Sequence, residues 1–305
     1  MRLSLLQGEN VKKTRIFGIF LTVMALLLTT SLVKSQTDRS SVHLILGNPS
    51  EAKRDASNAD NFLMLKPQYA LSYNKGKSIA NWTSWQLNQN WLGDVQRCTV
   101  GGQDGFAPDT SLPSGFKPVV PSDYQGSGFD RGHMTPSADR TANATDNCAT
   151  FLMTNIIPQS PDVNQGPWAT LESYSRDLVK DGKELYIISG GAGVGGKGRN
   201  GSKTSFNGKS SKLNITVPAS SWKVIVVLDQ PGLGLSGIDK NTRIIAVNMP
   251  QQQGVKGEPW DIKVNGNHKY ITSVKEIEKL TGYNFLSNVP KDVQDVIEAK
   301  VDKGS

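Results

Sequence analysis

Histidine is scarce in this 305-residue chain, which holds only His43, His133 and His268, so the choice of a general base is narrow. His133 lies in Phe129-Asp130-Arg131-Gly132-His133-Met134-Thr135-Pro136. If that stretch is strand-like, Arg131 and His133 point to one face, two residues apart. A cation beside a base suits a phosphodiester: the guanidinium holds anionic oxygens while the imidazole takes a proton from water. Gly132 between them lets backbone or substrate approach closely. An unperturbed imidazole, with a pKa of about 6.5, is mostly neutral and competent near pH 7–8. Taken alone, a histidine beside Arg and Asp is also an ordinary structural group. Further on stand Asn164, Glu172 and Arg176. Asn164 and Glu172, eight residues apart, lie roughly 80° apart around an ideal helix and can border one cleft. Glu172 and Arg176, four apart, are helical neighbours, and a plain surface ion pair is the alternative reading.

Other chemistries lack their motifs. Gly208-Lys209-Ser210 has Lys203 where a phosphate-binding loop needs glycine, and Gly76-Lys77-Ser78 has Leu71 there. There is no G-x-S-x-G elbow for a serine hydrolase and no H-E-x-x-H for a zinc peptidase. Gly190 to Lys212 reads as a mobile basic loop, with Lys197, Arg199, Lys203, Lys209 and Lys212 either available to a polyanion or simply solvated. Trp82, Trp85 and Trp91 can stack bases, although core packing suits them better.

Asp130-Arg131-Gly132-His133, then Thr154-Asn155-Ile156-Ile157-Pro158-Gln159, then Asn164…Trp168…Leu171-Glu172…Arg176 resembles the DNA/RNA non-specific endonuclease family. That family includes the Serratia nuclease, endonuclease G and the sugar-non-specific nucleases of cyanobacteria, and the likeness runs from about Val42 to the C-terminus. The resemblance implies an α+β fold of the ββα-metal type, a central mainly antiparallel sheet flanked by helices. It implies hydrolysis of single- and double-stranded DNA and RNA with little sequence or sugar preference, giving 5′-phosphate ends. On the same resemblance His133 is the general base, and Asn164 is the direct protein ligand of a Mg²⁺ or Mn²⁺ ion. Glu172 then engages the ion through water, and Arg176 contacts phosphate or steadies Glu172. Arg97 and Arg131 bind the scissile phosphate or stabilise its transition state, and Asp130 gives structural support to the loop or an arginine. Arg97 matches its family counterpart only if Cys98 to Phe106 is an insertion. A protein inhibitor is a reasonable partner for such an enzyme. A non-catalytic nucleic-acid-binding module is the rival reading, and the intact His133, Asn164 and Glu172 set argues against it.

These residues need elements to position them. Leu63 to Leu65, then Tyr69 to Tyr73, followed by Asn74-Lys75-Gly76, read as strand and turn, and Val42 to Leu46 as a short entry strand. Asn81 to Leu87 reads as a half-buried strand, and Asp104 to Gly128 as surface loop. Ala149–Thr154, Glu184–Ser189, Trp222–Leu228 and Thr242–Asn248 read as central strands covered on both faces. A helix is expected from Gln165 to Lys180, with Pro167 in its first turn, Trp168, Leu171, Ser175, Leu178 and Val179 inward, and Gly182 after it. Two more are expected, one from a Ser273…Glu276 capping box to Gly282 and one from Pro290 to about Lys300.

The net charge of +7 is weak evidence for a polyanion partner, because residues 1–35 hold five cations against Glu9 alone. The rest of the chain is only +3, which moves the weight to local patches. Lys12, Lys13 and Arg15 precede the uncharged, mostly apolar stretch Ile16 to Val33, as in an export signal. Residues 1–35 are thus expected to be a cleaved signal peptide or a retained N-terminal membrane anchor, and 36–305 a single secreted or periplasmic domain. No stable membrane association is expected unless that segment is retained. The two cysteines, Cys98 and Cys148, can pair in an oxidising compartment if their backbones approach.

Overall fold

The computed structural model describes residues 41–305, and its centre is a sheet built from the apolar runs. The strands are β1 (Phe62–Leu65), β2 (Ala70–Asn74), β3 (Ile79–Leu87), β4 (Asp130–His133), β5 (Ile156–Gln159), β6 (Glu184–Ala192), β7 (Ser220–Leu228), β8 (Arg243–Pro250) and β9 (Ile271–Thr272). Seven of them form one antiparallel sheet in the order β1-β2-β3-β6-β7-β8-β9. The other two, β4 and β5, pair separately, antiparallel, with His133 opposite Ile156 and Asp130 opposite Gln159. The helices are α1 (Ala144–Ala149), α2 (Ala169–Lys180), α3 (Val274–Thr281) and α4 (Lys291–Ile297).

Alternation along each strand feeds two cores. Trp85, Ile187, Ile225 and Val227 pack with Trp168, Leu171 and Val179 of the α2 region on one face. Trp82, Ile188, Val224 and Val226 pack with Val274, Ile277 and Ile297 of α3 and α4 on the other. The fold is therefore α+β, with the sheet covered on both sides. Coverage on both sides explains why β3 is not half-buried: eight of its nine residues are buried and only Gln86 is partly open. Trp82 and Trp85 are core residues, and the half-buried Trp91 lies under the Arg140 guanidinium, 4.0 Å from its ring centroid.

Three local expectations need correction. Val42 to Leu44 is a turn of 3₁₀ helix rather than a strand. Ala149 to Thr154 is not a central strand: it finishes α1 and passes through a 3₁₀ turn at Met153–Asn155 before β5 begins. The run is apolar because it is buried, and burial alone does not distinguish strand from helix over six residues. The Gly190–Lys212 segment is not a mobile loop. It continues β6 and then forms two small hairpins, Gly196–Gly198 with Gly201–Lys203 and Ser205–Asn207 with Asn214–Thr216. Lys203 Nζ donates to Ser127 O at 2.8 Å, while Lys197, Arg199, Lys209 and Lys212 are exposed. Helix α3 starts at its Ser273 cap and stops at Gly282. The export segment lies outside the described residues; among those, no helix is long and apolar enough to cross a membrane.

His43 is a structural group. Its Nε2 donates to Pro67 O at 2.9 Å and its Nδ1 accepts from Gln86 N–H at 3.1 Å, a pattern only the neutral ring satisfies. Burial lowers its pKa to about 4, against 6.5 for an exposed imidazole. The unfolded chain therefore binds more protons than the native state between those values, and stability falls as pH drops from 6.5 through 4. The full loss is roughly 3 kcal/mol. In thermal unfolding between pH 7 and 4, His43→Gln is expected to show a shallower decline of Tm than the wild type. Parallel declines would remove His43 as the cause.

Candidate active site

Gly132 brings β4 against buried Gln159, because a Cβ there would stand 2.0 Å from Gln159 Oε1. That close approach fixes the strand, and alternation then sends Arg131 and His133 to one side. Both meet Phe106: the Arg131 guanidinium lies 4.1 Å from its ring centroid, and the His133 ring 5.2 Å. Phe151 meets His133 edge-on at 4.8 Å. His133 Nε2 is buried without a hydrogen-bond partner. The imidazole is far from unperturbed. Burial, aided by the Arg97 and Arg131 charges and opposed by Asp104, lowers its pKa to about 3.

Asn164 and Glu172 do not share one regular helix. A turn at Pro161–Val163 leads into a wide turn at Asn164–Trp168, and α2 begins only at Ala169. Gly166 breaks the run at φ −115°, ψ −111°, and a Cβ on it would meet the Lys256 carbonyl at 2.6 Å. Both residues nevertheless reach the same cavity, through this break rather than through helical phase. Asp130 supports the wide turn rather than an arginine. Its Oδ2 accepts from Asn164 Nδ2 at 2.9 Å and from Gln165 Nε2 at 2.7 Å. With its nitrogen held, Asn164 has its carbonyl oxygen available to the cavity.

Glu172 projects from the first turn of α2, its side chain 16% exposed. Burial raises its pKa, opposed chiefly by Lys223 and then by Arg176. Arg176 is nevertheless not its ion-pair partner. The Arg176 guanidinium pairs with Asp139 at 3.1 Å and donates to Ser173 Oγ. The carboxylate of Glu172 instead faces Lys223 Nζ at 3.8 Å.

Arg97 reaches the site from the far side. It donates through Nε and Nη2 to both oxygens of Asp104, at 2.8 and 3.1 Å, and lies 4.6 Å from the Phe151 ring centroid. Asp104 belongs to the short hairpin Thr99–Val100 with Gln103–Asp104. That hairpin is tied down at its base by a Cys98–Cys148 disulfide, with a Cα–Cα distance of 5.1 Å.

Arg97, Arg131, His133, Asn164 and Glu172 thus line one cavity of about 400 Å³. An adjoining groove of about 690 Å³ shares Arg97, Arg131 and Asn164 and runs on past Tyr124 and Gln125. The oxygen ligands facing the cavity are an amide oxygen and a carboxylate, which suit a hard divalent cation. Among the described residues no three His, Cys, Asp or Glu side chains gather as a ligand cluster, so an ion held here would keep much of its water. Sequence reasoning brought these five forward together with Arg176, which does not line the cavity, and missed Asp104, Phe106, Asp139 and Lys223. Of these only Lys223 carried a signal, as a lone charge inside an apolar strand.

Residues 46–292 match the family described as DNA/RNA non-specific endonuclease. A nuclease from Nostoc sp. is 51% identical over 287 residues, covering 92% of this chain and 96% of that protein. Human mitochondrial endonuclease G is 27% identical over 237 residues, covering 74% and 70% respectively. The crystal structure of an EndoG/EndoGI complex contains a chain of the same fold, with TM-score 0.60 and 22% identity over 82% of this chain and 91% of that one. The chain belongs to the DNA/RNA non-specific endonuclease family and is an endonuclease acting on nucleic acids.

Proposed function

We propose that this is an exported, divalent-metal-dependent endonuclease that cuts DNA and RNA with little sequence or sugar preference. The observation that carries the reading is the single cavity bordered by His133, Asn164, Glu172 and two arginines. Arg97 and Arg131 bind the scissile phosphate, with Arg97 exchanging part of its contact with Asp104 for phosphate oxygens. His133 takes a proton from a water aligned for attack on phosphorus. A new P–O bond forms as the bond to the 3′-oxygen breaks; that oxygen takes a proton from water, leaving a 3′-hydroxyl on one end and a 5′-phosphate on the other. Burial is the main reason His133 is a weak base in the free site, and a bound phosphate would offset only the smaller part that comes from the Arg97 and Arg131 charges.

Asn164 would hold Mg²⁺ or Mn²⁺ by its amide oxygen, oriented by Asp130, and Glu172 would accept hydrogen bonds from the surrounding water. When bound, such an ion stabilises charge on the reacting phosphate and the leaving oxygen. Arg176 acts at one remove, anchoring Asp139 beside the cavity. Contacts confined to backbone phosphate account for indifference to base and sugar. Exposed Lys197, Arg199, Lys209 and Lys212 extend the positive surface, and Lys209 Nζ lies 3.0 Å from Gln125 Oε1 at the groove wall.

Residues 1–35 support export as a signal or anchor, with one endonuclease domain following from residue 36. A protein inhibitor remains part of the reading, supported by the EndoG/EndoGI complex. The test is cleavage of plasmid DNA and of RNA by the mature chain, in Mg²⁺ or Mn²⁺ and again in EDTA. Both substrates should be cut with metal and neither with EDTA, whereas undiminished cleavage in EDTA would refute the metal dependence.

A further inference from the structure

Lys223 is the only charged residue of β7, and its side chain is 1% exposed. Alternation sets it on the same face as Ile225 and Val227, the face that carries α2 and the active site. Its ammonium stands 4.1 Å from the Trp168 ring centroid and 5.7 Å from that of Trp85. Two indoles wall it in, and its ion-pair partner is Glu172, at 3.8 Å from Oε1. The nearby Asp139 is already engaged, accepting from Arg176 and from Trp85 Nε1 at 3.0 Å. Two carboxylates and two cations therefore lie behind the cavity, and the division of partners leaves Lys223 to Glu172.

A lysine buried in a strand is costly, and an apolar residue of similar length would pack between the two indoles without that cost. Cation–π attraction offsets part of the desolvation without needing a carboxylate at all. What the tryptophans do not supply is a reason for the ammonium to face the one carboxylate that borders the cavity.

We propose that Lys223 is a positioning residue for the endonuclease reaction, holding the Glu172 carboxylate at the cavity wall from behind so that it can order the hydration of a divalent ion. The inference rests on the reading of Glu172 given above. It makes the rear of the active site part of the central sheet: α2 supplies the carboxylate and β7 sets its position. Lys223 touches neither substrate nor the reacting atoms, so its effect passes entirely through Glu172.

The test is a double-mutant cycle with Lys223→Met and Glu172→Gln, read as kcat, KM for DNA, and affinity for Mn²⁺ alone by calorimetry. Lys223→Met should lower kcat and Mn²⁺ affinity by about 10–100-fold, as loss of an outer-shell partner does, with KM for DNA within about twofold. The double variant should match Glu172→Gln in both readouts, because with the carboxylate gone there is nothing left to position. Lys223→Met alone leaves a buried carboxylate unpaired and is vulnerable to misfolding. The double variant removes both charges, so comparing it with Glu172→Gln decides the matter even then. A further drop of about tenfold between those two, or wild-type kcat and Mn²⁺ affinity in folded Lys223→Met, overturns the proposal. Either result with wild-type cleavage still abolished by EDTA leaves the nuclease reading standing and removes only Lys223.

Discussion

Replacing His133 with alanine is expected to lower kcat on both plasmid DNA and RNA by about 10²–10⁴. The loss should be equal for the two substrates, because the same base acts on the same phosphodiester whatever the sugar. KM should change little, since the proposed phosphate contacts are Arg97 and Arg131, and neither uses His133 as a hydrogen-bond partner. The fold should survive, because His133 Nε2 makes no hydrogen bond whose loss would strand a partner. The ring does pack between Phe106 and Phe151, so a modest fall in Tm accompanies the substitution. Steady-state kinetics on both substrates, with circular dichroism as a control, check the expectation. Residual activity within about fivefold of wild type would assign the proton transfer elsewhere.

Removing the disulfide should have the largest effect on stability. Cys98 and Cys148 close a loop spanning 50 residues, and on the chain-entropy account such a link contributes roughly 4 kcal/mol. A Cys98→Ser/Cys148→Ser variant should therefore show a much lower denaturant midpoint. Activity should fall as well. Cys98 is the next residue after Arg97, and the hairpin bearing Asp104 starts immediately beyond it. Without the link, Arg97 loses its anchored neighbour and the groove loses a fixed wall, so KM for DNA rises more than kcat falls. Urea titration together with KM measurement tests both parts. An unchanged midpoint would show that the link adds nothing to the folded state.

The strands most legible in the sequence were those where burial leaves little choice. Glu184–Ser189, Trp222–Leu228 and Thr242–Asn248 lie inside β6, β7 and β8 apart from one residue at an end, because a sheet covered on both faces demands unbroken apolar runs. The same signal misled at Ala149–Thr154, where the buried segment is helical turns. The helix over 165–180 was found, but not its break: Pro167 was read as a first-turn residue, whereas it lies with the non-helical Gly166 inside the wide turn, against the backbone at Lys256, and α2 begins only at Ala169.

In the site, motif and resemblance identified His133, Asn164, Glu172, Arg97, Arg131 and Arg176 as a set, and all of them except Arg176 line one cavity. Which charge meets which was not legible. Spacing of four suggested a Glu172–Arg176 pair, but Asp139, 37 positions away, takes the arginine. Asp130 similarly goes to two amides, a pairing with no local sequence signature. The depressed basicity of His133 depends first on burial and then on the Arg97 and Arg131 charges, which only the folded chain brings together.

Strands β3 and β6 are neighbours in the sheet, yet Leu87 and Glu184 are separated by nearly a hundred residues, and all five cavity-lining residues lie in that interval. The sheet therefore cannot zip up from its first hairpin alone; it must wait for a long segment to close on itself. Such closure is an entropic barrier that slows folding of non-local sheets. The Cys98–Cys148 bond, once made, cuts the contour of that segment roughly in half. Oxidation thus lowers the closure cost only slightly, by about 0.6 kcal/mol per halving, but it does so at the step that joins the two halves of the sheet. Read this way, the crosslink acts as a folding accelerator as well as a brace, because it shortens the path between two strands that must find each other before the cleft can exist.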